Sequence, residues 1–134
     1  MVMYYDFYQL KENPFNVTAD PAFFFSSIYH REAISNLEFG ITHRKGIIVM
    51  TGDVGTGKTT LCKQLLKSAP HQVRFAYIFN PRFSELQLLQ MIMRDLGIQI
   101  TSKNKFELAR TLNEFLITET YQGHNIALIV DEAQ

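Results

Sequence analysis

Gly52-Asp53-Val54-Gly55-Thr56-Gly57-Lys58-Thr59 satisfies G-x-x-x-x-G-K-[ST] at every fixed position, and its flanks decide what it builds. Before it, Ile47-Ile48-Val49-Met50 runs apolar into Thr51, as a strand buried on both faces of a parallel sheet would. After it, the chain continues without a breaker to about Ser68, ahead of Pro70, which reads as a helix. A strand, a glycine turn and a helix in that order aim successive backbone N–H groups at an anion. The glycines permit the curl. The helix adds free N-terminal amides and the positive end of its dipole. The backbone of Gly52, Asp53, Val54, Gly55, Thr56 and Gly57 is therefore expected to cradle phosphate. Lys58 is expected to reach the β- and γ-phosphates, and the Thr59 hydroxyl to ligate Mg²⁺.

Working outward, strands alternate with helices. Val73 to Phe79 is rich in β-branched and aromatic residues and predicts a second strand, stopped by Asn80-Pro81. Ser84 with Gln87 has capping-box spacing and opens a helix to Asp95, which Gly97 terminates. Asn104 with Glu107 repeats that spacing before a helix carrying Leu108, Leu112, Phe115 and Leu116, ended by Gly123. Ile126 to Val130 predicts a third strand. On the other side of the loop, Ala33, Ile34, Leu37 and Ile41 recur at helical spacing and predict a helix from about His30 to His43. Residues 1–29 are aromatic and punctuated by Pro14 and Pro21. They read as an irregular arm whose Phe7, Phe15, Phe23, Phe24 and Phe25 should pack on a core spanning 30–134. The pattern implies an α/β fold with a parallel sheet.

The third strand ends in Asp131-Glu132. Ligands of open α/β sheets sit outside the carboxyl ends of the strands. Asp131 is thus expected near the magnesium shell, and Glu132 beside the γ-phosphate as the general base that polarises a water. A GTPase would carry the guanine-reading N-K-x-D after this strand; Asn104-Lys105-Phe106-Glu107 ends in Glu, comes before the strand and looks like a helix cap. A small-molecule kinase would need an acceptor site and a lid, and no residues identify either.

Composition bounds the rest. Thirteen basic and thirteen acidic side chains cancel, and no like-charge run supports a polyanion-binding face, so nucleic acid is not supported by charge. Hydrophobic residues make up 46%, enough for a real core. The single cysteine, Cys62, cannot form an internal disulfide, which fits a reducing compartment, and it reads as a small buried hydrophobe. No signal peptide or apolar run of membrane-spanning length is evident, so a cytoplasmic location is the default expectation. His43, His71 and His124 have no ligand-like spacing, and no transition-metal site is assigned.

The assembled residues resemble AAA+ ATPases of the general secretion pathway protein A type. The resemblance rests on Tyr4, Phe7, Tyr8, Leu10, Asn13-Pro14-Phe15, Asp20-Pro21, Phe23 to Phe25 and His30-Arg31-Glu32-Ala33. It continues through Phe39-Gly40-Ile41, Arg44-Lys45-Gly46, the phosphate loop with its second threonine, Thr60, Asn80-Pro81, Asp95-Leu96-Gly97 and Asp131-Glu132-Ala133-Gln134. It implies a P-loop NTPase three-layer sandwich in which the first strand lies between the fourth and fifth, and the third lies beside the second. ATP with Mg²⁺ is the implied ligand pair, and Phe15, Tyr29, His30 and Arg31 fall in the segment that would line the adenine; plain core packing for the two aromatics and a helix start for His30 and Arg31 are the alternative readings. The family implies a fourth strand with a polar sensor, a fifth strand, an arginine finger and a helical lid, so the chain reads as a core incomplete after its second acidic motif. It also implies self-association, secretion or envelope-assembly partners and, for some longer members, attachment to the inner membrane. The alternatives are a DNA-associated ATPase regulating transposition or replication, and a catalytically silent nucleotide-binding fragment.

Overall fold

A computed structural model describes residues 4–10, 24–68 and 70–133. Chain order is α1 (Tyr5–Tyr8), α2 (Ile28–Thr42), α3 (Lys58–Ser68), β1 (Val73–Phe79), α4 (Glu85–Asp95), α5 (Lys105–Tyr121) and β2 (Asn125–Asp131). Much of the expected N-terminal arm, Phe15 and Phe23 included, lies outside the described residues. Within them Phe7 and Phe25 are exposed, so the packing expected of these two rings is not made there.

Local chemistry sets the helix ends. Ser27 caps α2 by accepting the His30 N–H, which starts the helix at Ile28 rather than at His30. Ser84 and Gln87 form the expected reciprocal box at the start of α4. At α5 the expected box is replaced: Asn104 Oδ1 accepts from Phe106 N–H at 2.9 Å, two residues on. A short Asn side chain reaches that nearer donor.

β1 and β2 pair in parallel, with Val73 opposite Asn125 and Phe79 opposite Asp131. This is the pairing of second and third strands that the resemblance implies. The core gathers Leu61, Cys62 and Leu65 of α3, Ala76 and Ile78 of β1, Met93 of α4, Leu96 just after it and Leu108 of α5. Leu61 and Leu65 share one helical face, and Ala76 and Ile78 one face of the strand. On that strand face Arg74 Nε meets the buried carboxylate of Glu119 at 2.5 Å, and His124 Nδ1 reaches the same oxygen at 2.7 Å, fastening the end of α5. The outward edge of β1 is covered locally: Tyr77 N–H donates to Asp95 Oδ2 at 2.7 Å and Val73 N–H to Pro70 O at 2.9 Å.

The expected first strand is a correction. Residues 47–51 pair with no ladder among the described residues, and Ile47 and Val49 are 88% and 77% exposed. An apolar run marks a segment suited to a sheet, but a strand exists only through a partner's backbone. The segment is nonetheless seated on α2: a Cβ on Gly40 would fall 2.4 Å from Ile48 Cδ1, so the missing side chain makes room for the isoleucine. Asn125 Nδ2 donates to Ile41 O at 2.6 Å and ties the start of β2 to the same helix.

Candidate functional site

The loop from Gly52 to Thr59 ends where Lys58 opens α3. Lys58 Nζ donates to Gly52 O at 2.7 Å and Asp53 O at 2.8 Å, so its ammonium folds back onto the carbonyls that begin the loop. Thr56 Oγ1 donates to the same Asp53 oxygen at 2.8 Å, closing a turn. Gly55 and Gly57 take φ values of +81° and +86°, where a side chain is strained. Leu61 N–H donates to Gly57 O at 2.8 Å, so the helix grows directly out of the loop. Thr59 and Thr60 lie in its first turn.

Asp131 ends β2 and is 9% exposed. Its Oδ2 accepts the Tyr77 hydroxyl at 2.8 Å, and its Oδ1 accepts the N–H of Glu132 at 3.0 Å. Glu132 sits at φ +56°, a left-handed backbone that the preceding carboxylate holds in place. Burial first, then the hydrogen bond to Asp131 and its charge, push Tyr77 ionisation well above the usual phenol range. Burial and then the charge of Asp131 also raise the Cys62 thiol. Cys62 lies one turn beyond Thr59, so the acidic end of β2 is felt at the helix that carries the loop.

Of the residues named from the sequence, the glycine loop leads into the start of α3, and Asp131 and Glu132 stand at the end of β2. Among the described residues, no group of three or more His, Cys, Asp and Glu side chains could hold a metal. A hard cation placed here would depend on a few protein oxygens together with phosphate oxygens and water, the habit of Mg²⁺. The loop is narrow at Gly52, where a Cβ would lie 3.1 Å from Thr56 Oγ1.

Of the residues expected around adenine, Phe15 lies outside the described residues. Tyr29 and Arg31 line an open groove of about 340 Å³ with Phe25 and Ile28. His30 does something else: its Nε2 lies 2.9 Å from Thr56 O of the phosphate loop. Sequence reasoning missed this contact and the Tyr77–Asp131 bond. Each spans many residues, and a lone histidine or tyrosine carries no spacing signal for its partner.

The chain belongs to the AAA domain family, whose sequence profile matches residues 41–134. Members of that family are generally ATPases. The sequence is 34% identical over 140 residues to general secretion pathway protein A of Aeromonas hydrophila, in an alignment covering 98% of this chain and 24% of that protein. The chain thus spans about a quarter of the length of the relative it matches. No solved structure matches it significantly. No helix among the described residues is long and apolar enough to cross a membrane.

Proposed function

We propose that the chain binds ATP with magnesium at the loop from Gly52 to Thr59 and forms part of a cytoplasmic ATPase serving a secretion or envelope-assembly pathway. The observation that supports this reading is the curled loop, with glycines at positive φ, leading directly into α3, a helix whose Cys62 feels the charge of the buried Asp131. In the liganded protein, Lys58 exchanges the carbonyls of Gly52 and Asp53 for phosphate oxygens. Thr59 and Asp131 are the residues that would hold the cation. Glu132 orients a water and takes its proton as general base. The cation supplies charge neutralisation at the phosphates. Thr60 adds a second hydroxyl to the first turn of α3. The pathway follows the name of the relative, and self-association follows the family.

Substituting Lys58→Ala tests the binding. Saturating MgATP at ~100 times its Kd should stabilise the wild-type fold by about 2.7 kcal/mol and the variant not at all. An equal melting shift in both would sink the assignment. In a chain extended to the relative's length, Glu132→Gln should retain ATP and lose turnover by roughly 10²–10⁴-fold.

A further inference from the structure

The N-terminus of α2 reaches the phosphate loop through one side chain. His30 Nε2 lies 2.9 Å from Thr56 O, and a carbonyl only accepts, so Nε2 carries the proton. Nδ1 lies 2.8 Å from Ser27 Oγ. In the neutral ring it accepts the serine hydroxyl, and that oxygen meanwhile accepts the backbone N–H of His30. Phe24 packs edge-on against the imidazole at 4.9 Å between ring centroids. The ring is thus fixed on two sides, by a hydrogen bond that selects its tautomer and by an aromatic face.

The peptide joining Thr56 to Gly57 is trans. In a trans peptide the C=O and N–H point in opposite directions. Holding the Thr56 carbonyl toward His30 therefore turns the Gly57 N–H the other way. Gly57 itself lies close to the ring: a Cβ there would lie 3.3 Å from Nε2.

We propose that His30 is a positioning residue for the phosphate loop, setting the Thr56–Gly57 peptide so that the Gly57 N–H is presented to bound phosphate. This rests on the phosphate-binding reading above and deepens it. The role differs from an adenine contact: the residue acts on the polyphosphate and is indifferent to the base. It needs no titration, because the protonated ring still donates from Nε2 and then donates from Nδ1 to Ser27 Oγ.

Magnesium tripolyphosphate, which has no base, separates these roles when compared with MgATP by calorimetry. His30→Ala should weaken both ligands by a similar factor, about five- to tenfold for one lost orienting hydrogen bond. His30→Gln, whose amide can donate toward the same carbonyl, should recover most of the loss. The melting temperature of the unliganded protein reports any general damage. A loss confined to MgATP would overturn the proposal in favour of a base contact. Unchanged binding of both ligands would overturn it outright. A loss that Gln does not recover, with a matching fall in melting temperature, would assign His30 to fold stability alone. Wild-type protein that binds neither ligand would instead remove the phosphate-binding reading, and this inference with it.

Discussion

The Tyr77 hydroxyl donates to Asp131 Oδ2 at 2.8 Å, from a strand position two residues before the one opposite Asp131. The phenol therefore leans toward the carboxyl end of the sheet and holds one oxygen of a buried acid. The other oxygen holds the N–H of Glu132. Both oxygens of Asp131 are thus engaged, one by the phenol and one by the backbone of the next acid.

Removing that hydroxyl with Tyr77→Phe should lower the unfolding free energy by about 1–2 kcal/mol, seen as a lower urea midpoint at unchanged slope, because a buried carboxylate oxygen loses its donor. The same variant should raise the Mg²⁺ concentration needed for nucleotide binding by roughly 10–100-fold, the usual effect of losing a partner behind a metal ligand. Titrating Mg²⁺ against a fluorescent ATP analogue measures it. An unmoved Mg²⁺ midpoint would mean that the Tyr77 hydroxyl does not orient a cation ligand.

Gly57→Ala places a side chain at φ +86° and 3.3 Å from His30 Nε2. It should destabilise the fold by about 1–3 kcal/mol in urea and weaken polyphosphate binding. Gly46→Ala is the control, since no atom lies within 4 Å of its Cβ position. Equal midpoints for the two variants would contradict the strained loop.

Cys62 is buried in α3 and its thiol is pushed upward in pKa, by burial first and then by Asp131. At pH 8 it should react with iodoacetamide at least about tenfold more slowly in the native protein than in urea. Mass spectrometry of timed samples gives both rates. Equal rates would mean that α3 does not pack as described.

Glu85 in the first turn of α4 hydrogen-bonds Lys105 at the start of α5, and this holds its carboxyl below the usual range. A lowered acid contributes above its unfolded pKa and loses that contribution as pH falls through the lower folded value. The stability advantage of wild type over Glu85→Gln should therefore be small and level near pH 6. It should fade as pH drops below about 4, and shrink in high salt because the pair is exposed. Urea midpoints across pH 3–6 follow it. An advantage that grew on acidification would reverse the sign of the interaction.

What the sequence disclosed was what local chemistry dictates. Val73–Phe79 occurs as expected to the residue, because its β-branched and aromatic run is bounded by a proline turn. Ser84 and Gln87 cap α4 because both partners lie within one turn. The glycine loop was legible because its backbone needs those glycines at those positions. The rest depended on distant partners. Residues 47–51 read as a strand, but an apolar run does not reveal whether another backbone lies alongside. His30 reaches Thr56 across 26 positions and Tyr77 reaches Asp131 across 54. No periodicity couples residues so far apart. The α2 start shifted because Ser27, a capping residue, lay just outside the apolar repeat.

The Asp95 carboxylate on the Tyr77 N–H gives the two-stranded sheet a polarity of growth. Together with Pro70 on Val73 N–H, it occupies donors along the outer side of β1 that a foreign strand would need. A newcomer on that side would have to strip a charge-assisted bond and leave an aspartate facing its backbone. On the flank of β2, the Ile126 N–H donates to Asn125 Oδ1 and the Glu132 N–H to Asp131 Oδ1, each at 3.0 Å, so only the two ends of that edge are covered by the strand's own side chains. A further strand would therefore meet a charged side chain in the middle of the β1 edge, but on the β2 edge only at the ends, next to Asn125 and Asp131.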